Sequence, residues 1–322
     1  MNTYITLDLE WNQSPEGKSG SVPGLPFEII EIGAVKLDRD FHKLGEFQKI
    51  IRPAVYRKLH FRVHEIVNIG IEELKKNGED FCDVCREFLD WCYNYDAEGV
   101  PQDKPIFCTW GESDLNQLRR NMAYFKVADP FPYPFLYYDV QKLYAILTEG
   151  DKKKVSPLDK AVESLGIEIC GEFHRALKDA DYTAKVLQHI DISSVRDYLS
   201  MDYYRIPQNE SEEIYLLFPD YSKFVSREYP GREEAMNSPH VAAIPCFVCG
   251  RMLRKKIYWF SSNQKQYHCI ARCPEHGLMK GKIRIKKAPD GGCFIVKTIK
   301  PTTPEKARAV GLKKEELKQN RK

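Results

Sequence analysis

Five side chains in the first two thirds of this 322-residue chain have types and spacing that could do chemistry together: Asp8, Glu10, Asp114, His174 and Asp179. The run Tyr4-Ile5-Thr6-Leu7-Asp8-Leu9-Glu10 alternates as a strand does, so Asp8 and Glu10, two apart, point the same way. Two carboxylates side by side on an apolar strand repel each other and resist desolvation unless a cation neutralises them. Hard ions such as Mg²⁺ or Mn²⁺ suit carboxylate and water oxygens best. His174 stands just before a helix whose apolar stripe is Ala176, Ala180, Ala184 and Leu187, and Asp179 lies on that helix. An imidazole there could serve as the base for a hydrolysis assisted by two metals.

The elements that must position these groups are also legible. Phe27–Leu37 reads as a strand, Asp38–Asp40 as a turn and Glu46–Ile51 as the returning strand, giving an antiparallel meander with the first strand. Pro105–Trp110 reads as a fourth strand, Glu112–Tyr124 as a helix and Phe135–Val140 as a fifth strand. Asp114 falls in the first turn of that helix, where its dipole favours an acid. The pattern predicts an α/β fold with a mixed five-stranded sheet flanked by helices.

At this point the residues resemble the DEDDh branch of the 3′-to-5′ exonucleases, a family with a ribonuclease-H-like fold. Its D-x-E motif matches Asp8 and Glu10, its second aspartate matches Asp114, and its histidine followed five residues later by aspartate matches His174 and Asp179. Glu-Ile-Ile-Glu-Ile-Gly-Ala-Val at 28–35 and Trp-Gly-x-x-Asp-Leu at 110–115 resemble the subgroup of histone-mRNA and small-RNA exonucleases and bacterial inhibitors of sporulation kinases. The resemblance implies that Asp8, Glu10, Asp114 and Asp179 hold two Mg²⁺ or Mn²⁺ ions, with His174 as general base. It implies hydrolysis of single-stranded nucleic-acid ends, RNA favoured over DNA, with Leu9 and Trp110 as candidate contacts to the strand. One departure is the segment His64–Ile71, which lacks the threonine of the threonine-glycine-isoleucine turn common in relatives. Alternatives from other classes are a regulatory binding protein using the same fold as a docking platform, and a DNA repair or proofreading exonuclease.

Net charge is only +3, but the total hides an asymmetry. From residue 241 onward 20 Lys and Arg face 5 Asp and Glu, against 29 and 41 before it. A basic C-terminal quarter on an acidic catalytic part suggests a hold on a polyanion. No apolar run approaches the ~20 residues that span a bilayer, and the N-terminus enters a strand without a leader, so a cytoplasmic protein is expected. The organisation expected is a catalytic domain over 1–195, an aromatic and proline-containing linker over 196–242, a basic zinc-ribbon-like module over 243–300 and a mobile basic tail over 301–322.

Ten cysteines divide into two kinds. Cys82, Cys85 and Cys92 recur at helical spacing with Phe81, Phe88 and Leu89, as a buried helix face does, and Cys108 and Cys170 read as core or strand-end residues. Cys246-x-x-Cys249-Gly and Cys273-x-x-His276-Gly instead resemble the paired knuckles of a zinc ribbon. Three sulfurs and an imidazole suit one structural Zn²⁺, with Cys269 as rival for the fourth place and His268 a weaker one. Basic residues of the module, including Lys255, Lys256, Lys282 and Arg284, accompany aromatics such as Trp259, a mixture that suits single-stranded nucleic acid. A protein partner for the ribbon is the other expectation.

Overall fold

The computed structural model describes residues 2–66, 69–150, 154–169, 171, 173–263, 265–288 and 291–320. Cys170 and part of the 64–71 turn lie outside the described residues. The chain forms two compact units, Met1–Tyr204 and Arg205–Lys322.

The first unit is built on a six-stranded mixed sheet in the order β3-β2-β1-β4-β5-β6. Its strands are β1 (Asn2–Asn12), β2 (Glu28–Leu37), β3 (Lys43–Ile50), β4 (Lys104–Thr109), β5 (Leu136–Asp139) and β6 (Ser200–Met201). The meander β1-β2-β3 is antiparallel, and β4 joins β1 in parallel. All ten residues of β2 are buried, including two glutamates, because both faces of the strand are covered. The helices are α1 (Phe61–Ile66), α2 (Ile71–Asn77), α3 (Phe81–Tyr93), α4 (Asp114–Tyr124), α5 (Val140–Glu149), α6 (Leu158–Ser164), α7 (Ala176–His189) and α8 (Ile192–Val195). One core packs α3 and α4 against Ile5, Leu7, Leu9 and Phe107, while the other packs α5 and α7 against Val35, Leu37 and Cys108. Helix α3 starts at Asp80, whose carboxylate accepts the Cys82 amide at 2.8 Å, and it buries Cys85 and Cys92 while Cys82 is half-buried. The small residues of α7, Ala176, Ala180 and Ala184, let that helix lie close on the sheet.

The second unit is a separate six-stranded antiparallel sheet in the order β7-β8-β12-β11-β10-β9. Its strands are β7 (Ile214–Leu217), β8 (Ser222–Val225), β9 (Arg254–Asn263), β10 (Gln266–Cys273), β11 (Gly277–Lys287) and β12 (Cys293–Pro301). Helices α9 (Arg232–Asn237), α10 (Pro239–Ala242) and α11 (Pro304–Gln319) complete it.

Three expectations change. The first sheet has a sixth strand, two residues long, which pairs with β5 through Leu136–Met201 and Tyr137–Ser200. The 196–242 segment is not a linker: it supplies β6 to the first unit and β7 and β8 to the second, where β8 pairs with β12. Pro304–Gln319 of the tail form α11, capped by the Thr303 side chain and seated through Ala307 and Val310 against Ile257, Phe260, Ile270 and Leu278.

Candidate active site and metal centre

Strand β1 carries Asp8 and Glu10 on one face while Leu7 and Leu9 are buried on the other, so one strand supplies both carboxylates and the core beneath them. Asp114 opens α4, and its Oδ1 accepts the Leu9 amide at 3.2 Å, which ties α4 to the middle of β1. Asp179 sits in the first turn of α7, where its Oδ2 accepts the His174 amide at 3.1 Å. His174 is exposed and has a φ of 69°, a left-handed conformation that non-glycine residues rarely adopt. Ligand atoms of Glu10, His174 and Asp179 all lie within 4.8 Å of one another.

The electrostatics of this cluster are those of repelling acids drawn out of water. Burial, then Asp114 and Glu10, push the Asp8 carboxyl far above the usual carboxylate range. Burial, then Asp179 and Glu31, raise Glu10 to about 8. Burial raises Asp114 to about 7 even though the Leu9 amide pulls the other way, and burial also raises Asp179. Asp179 Oδ1 is buried with no hydrogen-bond partner among the described residues. Carboxylates that repel one another, a lone buried oxygen and hard-donor chemistry together fit divalent cations such as Mg²⁺ or Mn²⁺.

Two residues of the neighbourhood were missed in the sequence. Glu31 pairs with Glu10 in the β1–β2 register and is fully buried, and its carboxylate binds Arg175, Gln48 and the Ala176 amide. The available signal was a charge inside an otherwise apolar strand, which demands partners. Gly33 is the other: a Cβ there would lie 2.0 Å from the Leu177 nitrogen and 2.1 Å from the Ala176 carbonyl carbon. Only glycine lets the start of α7 approach β2 so closely.

In the second unit, Cys246, Cys249, Cys273 and His276 converge, with their ligand atoms mutually within 4.8 Å. The Cys249–Cys273 sulfurs are 3.8 Å apart, and His276 Nδ1 is 3.7 Å from Cys246 Sγ and 3.5 Å from Cys273 Sγ. Tetrahedral Zn²⁺ with ordinary bond lengths requires edges of about 3.8 Å between sulfurs and about 3.6 Å between sulfur and nitrogen. Against the effect of burial, amide hydrogen bonds from His276 and Glu275 draw the Cys273 thiol down to about 6, toward the thiolate a metal needs. Cys269 stands apart from this group, packed against Gly281, where an added Cβ would meet its sulfur at 2.5 Å, and burial pushes its thiol up to about 12.

The expected nucleic-acid contacts fare differently. Leu9 is only 3% exposed and belongs to the core, so its contribution is the amide that holds Asp114. Trp110 is half-buried with its indole N–H on the Ser156 carbonyl, and Trp259 is half-buried with its indole N–H on the Ala242 carbonyl. Lys282 and Arg284 share the face of β11 opposite the core residues Met279, Gly281 and Ile283, together with Lys280 and Lys286. Lys256 is exposed and Lys255 half-buried on β9.

Comparison with known proteins adds the family. The sequence profile of the exonuclease family (RNase T type) matches residues 19–187, more than half of the 322 residues. The chain belongs to the exonuclease family. Asp8 and Glu10 precede the matched span of this exonuclease, whereas Asp114, His174 and Asp179 fall within it. Among solved structures, the nuclease domain of 3′hExo, a DEDDh family member bound to rAMP, is similar at 20% identity, covering 62% of this chain and 96% of that one with a TM-score of 0.50. A 3′-exonuclease recognising the histone mRNA stem-loop aligns at 18% identity over 62% of this exonuclease and 66% of that chain, TM-score 0.49. The zinc-bound E. coli ExoI–ssDNA complex aligns at 18% over 61% and 42%, TM-score 0.47. No curated protein matches the sequence. The first unit thus has the ribonuclease-H-like fold of the DEDDh exonucleases. Among the described residues, no helix is long and apolar enough to cross a membrane.

Proposed function

We propose that this exonuclease removes nucleotides from the 3′ end of single-stranded nucleic acid, RNA in preference to DNA. The observation that carries the reading is that ligand atoms of Glu10, His174 and Asp179 lie within 4.8 Å of one another, with Asp8 on the same face of β1 as Glu10 and Asp114 tied to the Leu9 amide between them, near enough that these acids raise one another's proton affinity. The four carboxylates would hold two Mg²⁺ or Mn²⁺ ions, which when bound supply charge neutralisation at the phosphate and a more acidic water. His174 takes the proton of the attacking water as that oxygen bonds to phosphorus and the bond from phosphorus to the 3′ oxygen breaks. Asp179 orients His174 through the His174 amide. The 3′ polarity and the preference for RNA are supported by the motif resemblance and by the fold shared with the 3′hExo nuclease domain.

In the second unit, Cys246, Cys249, Cys273 and His276 hold one structural Zn²⁺, and the β11 stripe of Lys282 and Arg284 contributes phosphate contacts. The edge lengths of the Cys3His group support the first, and strands β9 to β12, which contain no Asp or Glu, support the second. A time course with 5′-labelled single-stranded RNA and DNA of equal sequence tests the main reading. A ladder shortening from the 3′ end, absent with Asp8→Ala, is expected; no cleavage of either strand by folded, metal-supplied protein would refute it.

A further inference from the structure

Glu31 is an acid that acts on Asp8, Glu10 and Asp179 but that the proposed hydrolytic site does not use. It faces Glu10 across the β1–β2 ladder, has no solvent exposure and adds to the repulsion felt by Asp8, Glu10 and Asp179. A buried carboxylate in such a place requires full compensation. It has it: Oε1 accepts from Gln48 Nε2 at 2.7 Å and Arg175 Nη2 at 3.0 Å, and Oε2 from Arg175 Nε at 3.2 Å and the Ala176 amide at 3.3 Å. The guanidinium thus engages both oxygens as a fork, while the same carboxylate sits at the first residue of α7.

The residues it grips are the two that follow His174. Backbone at His174 is left-handed, with φ 69°, and holding a non-glycine residue there costs free energy that neighbouring contacts must offset. Two carboxylates provide them, Asp179 on the His174 amide and Glu31 on Arg175 and Ala176. Gly33, two residues along the same strand, supplies the clearance for this docking. We infer that Glu31 and Arg175 are a positioning pair that fixes the His174 loop, and that the Arg175 fork commits Glu31 to this task and keeps it out of the metal-binding acids.

This inference rests on His174 being the base, and its test separates the two ideas. Arg175→Lys keeps the charge but loses the fork. Expected is a fall in kcat of about 10- to 100-fold with KM changed less than about threefold, as a displaced base would give. In a His174→Ala background the same substitution should change kcat less than about twofold, because the group it positions is gone. Equal losses in both backgrounds would mean a general structural role and overturn the proposal. Mn²⁺ affinity, read by electron paramagnetic resonance, should stay within about threefold of wild type; a large change would place the pair among the metal-binding groups instead. Hydrogen exchange needs no activity: the His174 amide should exchange at least about tenfold faster in Arg175→Lys, with β1 unchanged. Unchanged protection refutes the pair's role even if the protein hydrolyses RNA, while faster exchange in a protein that hydrolyses nothing supports the pair and refutes the exonuclease reading. Should Arg175→Lys fold poorly, the neutral pair Glu31→Gln with Arg175→Gln removes the buried charge together with its partner and carries the same measurements.

Discussion

At the residue scale the proposed site is a set of acids whose mutual repulsion divalent cations would relieve. Asp8→Ala should abolish hydrolysis while circular dichroism and melting show an intact fold, because Asp8 contributes charge and not packing. For His174→Ala the expected loss is about 10²- to 10⁴-fold and incomplete, the span a positioned general base contributes. Full activity in either variant would remove that residue from the site. The raised acids also fix a pH dependence. Glu10 titrates at about 8 and Asp114 at about 7 in the folded chain, against 4.5 and 3.8 ordinarily, so between those values the folded state holds more protons than the unfolded one. Without divalent metal, stability therefore falls as pH rises from about 4 to 8. Metal takes the place of those protons, so the gain in Tm on adding Mn²⁺ should grow over the same range; a gain independent of pH, measured by scanning fluorimetry, would contradict the coupling.

The arrangement of elements turns on close approach. Gly33→Ala puts a Cβ against α7 backbone, with no flexible side chain to yield, and should destabilise by about 3 kcal/mol. Gly45→Ala is the control, since its nearest neighbours are Trp91 ring atoms at 3.9 Å, and it should cost less than about 1 kcal/mol in denaturant titrations. The zinc knuckles make a parallel case. Cys273→Ser should lose the metal and Cys269→Ser should retain about one zinc per chain by elemental analysis; retention by both would break the ligand assignment. What was legible at this scale followed the strength of the local pattern. Asp8 and Glu10 stood out on an alternating strand, and α7 by its alanine stripe. The two-residue β6 has no period to read, and β7 and β8, four residues each between prolines, resembled a linker because the strand that joins this short hairpin to the sheet, β12, pairs with β8 from some 70 residues on. Glu31 hid inside a strand read for its apolar content, and its four donors come from β3 and the start of α7, far away in sequence.

On the scale of the whole molecule, charge is divided as the chain is. Residues 241–322 carry 20 Lys and Arg against 5 Asp and Glu, and residues 1–240 carry 29 against 41. An acidic part attracts cations but repels phosphates, so under the proposed function substrate retention would fall to the basic part. On β11, Lys280, Lys282, Arg284 and Lys286 follow one another on a single face at about 6.7 Å intervals, and Lys280 pairs in register with Lys300. Cations repeated at this spacing along one strand suit the phosphates of an extended nucleic-acid backbone. Binding of single-stranded RNA by the Asp8→Ala protein should weaken steeply with salt. Replacing Lys282 and Arg284 with Ala should reduce the slope of log K against log salt by about 1.4, two phosphate contacts at about 0.7 each. Removing Arg39 and Lys104, exposed cations at the far end of the first sheet from Asp8, should leave that slope unchanged. A slope that answers equally to both pairs would show a response to net charge alone, and the β11 stripe would lose its claim on the substrate.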